Sequence, residues 1–156
     1  MPKPSPVTRL AQYIQPGHVH VARTPTQLTT ILGSCVSVCL WDAGEGIGGM
    51  NHFMLPQATG GSVKSPRFGN FAMQDLFDKV QMAGARRAHL QARVFGGACM
   101  FEQMRSSAHL GQKNIELALD FLSHRGIDVV ETNVGGDHGR KLRFFTDTGD
   151  ACLTLI

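Results

Sequence analysis

The order of elements legible in this chain predicts an α+β (mixed α/β) domain: strands first, then a helix, a strand, a second helix and a closing run of strands. Three observations carry that prediction. Two stretches repeat apolar residues at i, i+3, i+4 and i+7, the spacing of one helix face, and each runs into a glycine. Several short runs alternate polar and apolar residues or are apolar throughout, as strands do. Glycine supplies 18 of the 156 residues, well above the average of about 7%, and much of it falls in pairs: Gly48-Gly49, Gly60-Gly61, Gly96-Gly97 and Gly135-Gly136. Such pairs mark tight turns or close backbone approaches. The two main helices are expected on one side of a strongly twisted sheet.

A chain of 156 residues suits one domain and can bury a core without metals or disulfides. Charged residues make up only 17% and hydrophobic residues 42%, which excludes disorder over most of the length. The net charge of +3 is small, and Lys and Arg are scattered except at Arg86-Arg87 and around Arg140 to Arg143. Without a basic stripe interleaved with aromatics, nucleic acid is not the expected partner. No run approaches the length of a membrane span, and Met1-Pro-Lys-Pro-Ser-Pro6 lacks the apolar stretch of a leader. A soluble, cytoplasmic protein with no membrane insertion is expected. Cys35, Cys39, Cys99 and Cys152 have no CxxC spacing, so they read as free thiols and not as a disulfide or zinc framework. No cofactor is expected.

Residues 1–16 are proline-spaced and read as a loosely ordered segment, with a short helix or docked stretch near Leu10 to Ile14; residues 17–156 read as the single domain. His18 to Arg23 alternates as a strand. His18 and His20 share one face, but two histidines without a third ligand nearby are the mark of a surface strand more than of a metal site. A turn at Pro25 follows, and then the run from Thr29 to Asp42, in which a Gly33-Ser34-Cys35 turn leads into a strand. Asp42-Ala-Gly-Glu-Gly46 reverses the chain, and Ile47 to Pro56 returns as a second strand. Gly44-x-Gly46-x-x-Gly49 formally matches a dinucleotide motif, yet the run after it is strand-like and stops at Pro56 instead of opening a helix, so it is set aside.

The Gly-, Ser- and Pro-rich stretch 57–67 is a candidate rim of a site, or a plain connector. Asn70 reads as the N-cap of a helix carrying Met73, Leu76, Phe77 and Val80 and ending at Gly84. Residues 89–95 read as a buried strand closed by Gly96-Gly97-Ala98-Cys99. The second helix is expected over about residues 113–125, with Ile115, Ala118, Leu119 and Leu122 on one face and Gly126 at its end. Residues 127–132, 141–145 and 151–155 supply the last strands.

The chemistry concentrates in the first hairpin. A four-residue turn over residues 42–45 sets Cys35 directly opposite His52, with Cβ atoms about 5 Å apart on one face. Cys39 then lies opposite Gly48 as a small core residue. A slip of one residue would send Cys35 and His52 to opposite faces. A thiolate is the reactive form of cysteine, and a neighbouring imidazolium lowers the thiol pKa and holds an ion pair ready at neutral pH. Thr29 is placed to offer its hydroxyl to the other imidazole nitrogen and fix the tautomer, completing a triad. Backbone N–H groups at Gly33 and Ser34 are candidate donors to an oxyanion. His89, His109, His124 and His138 show no HxxxH or HxH grouping, which argues against a metal-dependent hydrolase.

The segments Leu32-Gly-Ser-Cys-Val36, Gly49-Met-Asn-His-Phe-Met-Leu-Pro56, Phe95-Gly-Gly-Ala98, Asn114-Ile115, Gly135-Gly136 and Gly139-Arg-Lys141 resemble the signature blocks of the CheD family of chemoreceptor glutamine deamidases. They occur in the family's order and span nearly the whole chain. The resemblance implies a layered fold containing a β-sandwich, with the nucleophile on Cys35, the base on His52 and the orienting threonine on Thr29. It further implies hydrolysis of selected glutamine side chains in the cytoplasmic helical bundle of methyl-accepting chemotaxis receptors. That reaction runs through a thioester, releases ammonia and leaves glutamate. Some members of that family also act on receptor methyl esters or bind the CheC phosphatase, and the alternative reading is an adaptor for receptors or CheC with little catalysis.

Overall fold

Every residue of the strand Val36–Asp42 is buried, and its alternation sets the layering. Val36, Val38 and Leu40 enter one apolar cluster, while Cys39 and Trp41 enter a second. A strand buried on both faces must lie between two layers. The computed structural model describes residues 7–57, 64–99 and 105–156. Within them the chain order is β1 (Leu10–Tyr13), β2 (Val19–Ala22), β3 (Thr26–Leu32), β4 (Val36–Asp42), β5 (Ile47–Asn51), α1 (Gly69–Met82), β6 (Gln91–Gly96), α2 (Arg105–His124), β7 (Asp128–Val134), β8 (Arg140–Phe145) and β9 (Ala151–Leu155).

The strands form two mixed sheets, one ordered β1-β3-β8-β9 and the other β2-β5-β4-β6-β7. Leu28, Leu32, Leu142 and Phe144 of the first sheet meet Cys39, Trp41, Met50 and Phe95 of the second. On the far face of the second sheet, Ala72, Met73, Leu76 and Val80 of α1 and Ile115, Ala118 and Leu122 of α2 cover Val36, Val38, Leu40 and Val94. The molecule is therefore an α+β sandwich of two sheets with both helices on one side, as expected.

Four local details differ from the reading of the sequence. Of the two alternatives for the stretch near Leu10 to Ile14, short helix or docked stretch, the structure has the second, docked from Arg9 onward. Leu10–Tyr13 is a strand and not a helix, pairing in parallel with β3; Ile14 is buried and Arg9 pairs with Asp147 at 2.9 Å. Helix α1 starts at Gly69 without a side-chain cap, so Asn70 is not its N-cap. The N–H groups of Gly69 and Asn70 donate instead to the carbonyls of Leu55 and Pro56 at 2.7 and 3.0 Å, which satisfies the exposed first turn. Helix α2 starts at Arg105, a full two turns before the expected start. Gly111 lies inside the helix, at a point where a Cβ would meet the carbonyl oxygen of Gly97 at 2.5 Å. His89, read as the first residue of a strand, closes a single 3₁₀ turn over Arg87–His89, and β6 begins at Gln91.

The run from Thr29 to Asp42 spans the ends of two strands in different sheets, joined at the expected Gly33-Ser34-Cys35 turn. β3 belongs to the first sheet and β4 to the second, with Gly33-Ser34-Cys35 as the crossover. The β4–β5 register pairs Asp42 with Ile47 and Cys39 with Met50, two residues from the expected pairing. The cause is Asp42, which is fully buried as the last strand residue and accepts from the N–H groups of Glu45 and Arg86 at 3.3 and 2.9 Å. Cys39 therefore faces Met50, not Gly48. The register continued through the Val36–Phe53 bridge puts Ser37, not Cys35, directly opposite His52.

Candidate active site

The crossover turn is held by its carbonyls. That of Gly33 accepts from the Ala98 N–H at 3.0 Å, that of Ser34 from the Asn114 side-chain amide at 3.3 Å, and that of Cys35 from the Gly97 N–H at 2.9 Å. The N–H groups of Ser34 and Cys35 donate to no backbone carbonyl among the described residues. Across a trans peptide the C=O and N–H point in opposite directions, so fixing these carbonyls also aims the donors. Gly96 has φ 106°, and a Cβ there would collide with the carbonyl oxygen of Cys35. Only glycine fits that backbone and that approach. Cys35 itself is partly buried and packs against the inter-sheet cluster of Leu28, Leu32 and Leu142.

His52 is 1% exposed. Its backbone is tied on both sides, by its N–H to the His18 carbonyl at 3.2 Å and by its carbonyl to the Gly17 N–H at 2.7 Å. Its Nδ1 lies 2.7 Å from Thr30 Oγ1, and that hydroxyl donates to the Ile14 carbonyl at 2.7 Å. A hydroxyl has one proton to give. Since Ile14 takes it, the Thr30 oxygen accepts from Nδ1–H, and the ring keeps its lone pair on Nε2. Burial lowers the His52 pKa to about 4, with a hydrogen bond to the Ile14 backbone opposing, so the ring is neutral at neutral pH. Burial also raises the Cys35 thiol above its ordinary value, opposed by a hydrogen bond from its own backbone. Burial thus disfavours both the thiolate and the imidazolium, against the ion pair expected from the sequence.

Cys35 and His52 do share the face turned toward the first sheet, since an error of two residues in register leaves strand faces unchanged. Thr29 does not join them. Leu28 and Leu32 turn inward from β3 and Thr30 goes with them, while Thr29 points to the outer face, where Gln27 Nε2 donates to its hydroxyl at 3.3 Å. The hydroxyl on His52 belongs to Thr30.

Sequence reasoning missed three further polar residues around the turn. Asn51, fully buried, accepts from the Val38 N–H at 2.8 Å and donates to the Ala72 carbonyl at 3.3 Å, tying the strand of His52 to β4 and α1. Arg140, 5% exposed, donates to Asn133 Oδ1 and the Gly135 carbonyl, both at 2.8 Å. The loop it holds supports the Gly96 segment through Gly135 N–H to Gly96 O and Cys99 N–H to Gly136 O, both 2.9 Å. Asn114 bridges Ser34 and Met54. The sequence signals were polar side chains inside apolar stretches and their places in the Gly49 to Pro56, Asn114-Ile115 and Gly139-Arg140-Lys141 blocks. Of the candidate rim 57–67, residues 58–63 lie outside the described residues.

Among solved structures, the Bacillus licheniformis hypothetical protein YfiH aligns with a TM-score of 0.44 at 16% identity, over 70% of this chain and 49% of that one. Sequence relatives are much nearer. The "Probable chemoreceptor glutamine deamidase CheD" of Trichlorobacter lovleyi is 45% identical over 141 residues, 90% of this chain and 88% of its own. The "Probable chemoreceptor glutamine deamidase CheD 1" of Anaeromyxobacter dehalogenans is 46% identical over 148 residues, 95% of this chain and 86% of its own. The family described as CheD chemotactic sensory transduction matches residues 54–154, beginning just after His52. With that match and relatives aligned along nearly the whole chain, this protein belongs to the CheD family.

Proposed function

We propose that this protein deamidates glutamine side chains of methyl-accepting chemotaxis receptors, the activity in the printed names of its relatives. The observation that carries the mechanism is the Ile14–Thr30–His52 chain, which leaves Nε2 of a neutral imidazole as a base on the face it shares with Cys35. The Cys35 sulfur adds to the side-chain carbonyl carbon as its proton passes to His52. The carbonyl electron pair moves onto oxygen, where the N–H groups of Ser34 and Cys35, in place of the Gly33 and Ser34 donors expected from the sequence, receive it. Collapse breaks the C–N bond, and His52 returns the proton to the departing ammonia. Water then gives a proton to His52 and attacks the thioester; Cys35 leaves with that proton, and glutamate remains.

The reaction is set in the cytoplasm, where the receptor bundle lies, and no helix of the described residues is long and apolar enough to cross a membrane. The experiment is to incubate the purified protein with a receptor cytoplasmic fragment and follow free ammonia. Ammonia rising with time supports the reading. Co-purification with an unaltered receptor, or with CheC alone, would replace it with an adaptor.

A further inference from the structure

Asn114 is a polar residue on the apolar face of α2, fully buried, with no catalytic group of its own. Its amide nitrogen donates to two carbonyls from distant parts of the chain, Ser34 at 3.3 Å and Met54 at 3.0 Å. Ser34 precedes the nucleophile, and Met54 follows two residues after His52. The last ladder bonds between these segments are the reciprocal pair of Val36 and Phe53. Beyond that pair the strands part, and the side chain of Asn114 takes over from the ladder.

Its acceptor oxygen, also buried, has no partner among the described residues. A buried amide with half its capacity unmet costs stability, and an apolar side chain of that size would fill the space without the cost. The residue is therefore explained by what its nitrogen holds. The backbone is arranged to bring it there: Gly111, one turn earlier on α2, lies against the Gly97 carbonyl, so close that a Cβ would not fit.

We propose that Asn114 is a positioning residue for the oxyanion site, resting on the deamidation described above. By drawing the Ser34 carbonyl toward α2 it fixes the plane of the Ser34–Cys35 peptide, and the Cys35 N–H must point the other way. That N–H is the donor that would meet the oxyanion, and its aim matters most when negative charge develops on the substrate oxygen. An oxyanion donor removed outright costs about 100- to 1,000-fold in rate. A donor merely released from its orientation costs less, roughly 10- to 100-fold.

The test pairs two reactions of the same cysteine, since alkylation by iodoacetamide builds no oxyanion and deamidation does. Asn114→Leu keeps the branched shape and heavy-atom count and removes both hydrogen bonds. Its deamidation kcat on a receptor fragment is expected to fall roughly 10- to 100-fold, with KM and the Cys35 alkylation rate each within about 3-fold of wild type. A kcat within about 3-fold of wild type, or alkylation falling in step with deamidation, overturns the inference. If the leucine variant does not fold, Asn114→Ser, too short to bridge the two carbonyls, is read by the same criteria. Wild-type protein runs in parallel: if it releases no ammonia, the deamidase reading fails and this inference with it, whereas an active wild type beside an equally active variant sinks this inference alone.

Discussion

Thr30 holds the ring of His52 across the gap between the two sheets, Oγ1 to Nδ1 at 2.7 Å, with its own proton committed to the Ile14 carbonyl. The imidazole is thus oriented by a strand of the opposite layer, itself pinned by the N-terminal strand β1. Thr30→Val keeps the shape and removes the acceptor. Its deamidation rate should drop at least about 10-fold, as expected when a general base loses its orienting partner, while Thr29→Val stays within about 2-fold. Steady-state ammonia release from the two variants checks this, and the reverse order would return the role to Thr29.

The thiol and the imidazole should rest uncharged. Burial raises the Cys35 pKa above its ordinary 9.0 and holds His52 at about 4. Alkylation of Cys35 should accordingly be slow at neutral pH and keep climbing as pH rises past that value, because the thiolate is the reacting form. A rate already level across neutral pH would reveal a preformed ion pair instead.

His52 also ties stability to pH. Between its folded value of about 4 and the ordinary 6.5, the unfolded chain binds more protons than the folded one, so stability rises with pH across that window. The contribution is complete above 6.5 and is lost as pH falls toward 4. At about 1.36 kcal/mol per pKa unit its full size is on the order of 3 kcal/mol. Asp147, held below its ordinary 3.8 by the hydrogen bond from Arg9, loses its contribution only at lower pH. Urea unfolding at a series of pH values should show the loss in wild type and a flatter profile in His52→Gln.

Gly96 supports the Gly33-Ser34-Cys35 turn by having no side chain. Gly96→Ala meets the Cys35 carbonyl oxygen and a φ of 106°, and should cost roughly 3 kcal/mol from the combined backbone strain and overpacking. Denaturant midpoints measure it. An alanine variant as stable as wild type would mean that the turn relaxes freely.

Much of this architecture could be read locally, and what could not depended on distant parts of the chain. The apolar stripes of α1 and α2 and the alternation of β4 are local patterns, and they survive in the fold. Cys35 and His52 were paired on a turn misplaced by two residues, and they still share a face because the strand period is two. The hydroxyl that meets His52 is that of Thr30 and not of Thr29 because the inward face of β3 is decided by Leu28 and Leu32 meeting Phe95 and Trp41 of the other sheet. The early start of α2 takes in Gly111, which lies against Gly97. Asn114 was visible only within a block of residues, since both of its acceptors come from the first third or so of the chain.

The central claim is that Cys35 converts receptor glutamines to glutamates, and mass spectrometry of receptor peptides tests it most directly. A receptor cytoplasmic fragment treated with wild-type protein should carry glutamate at selected glutamine positions, and the same fragment treated with Cys35→Ala should carry none. Glutamate appearing equally with Cys35→Ala would contradict the account.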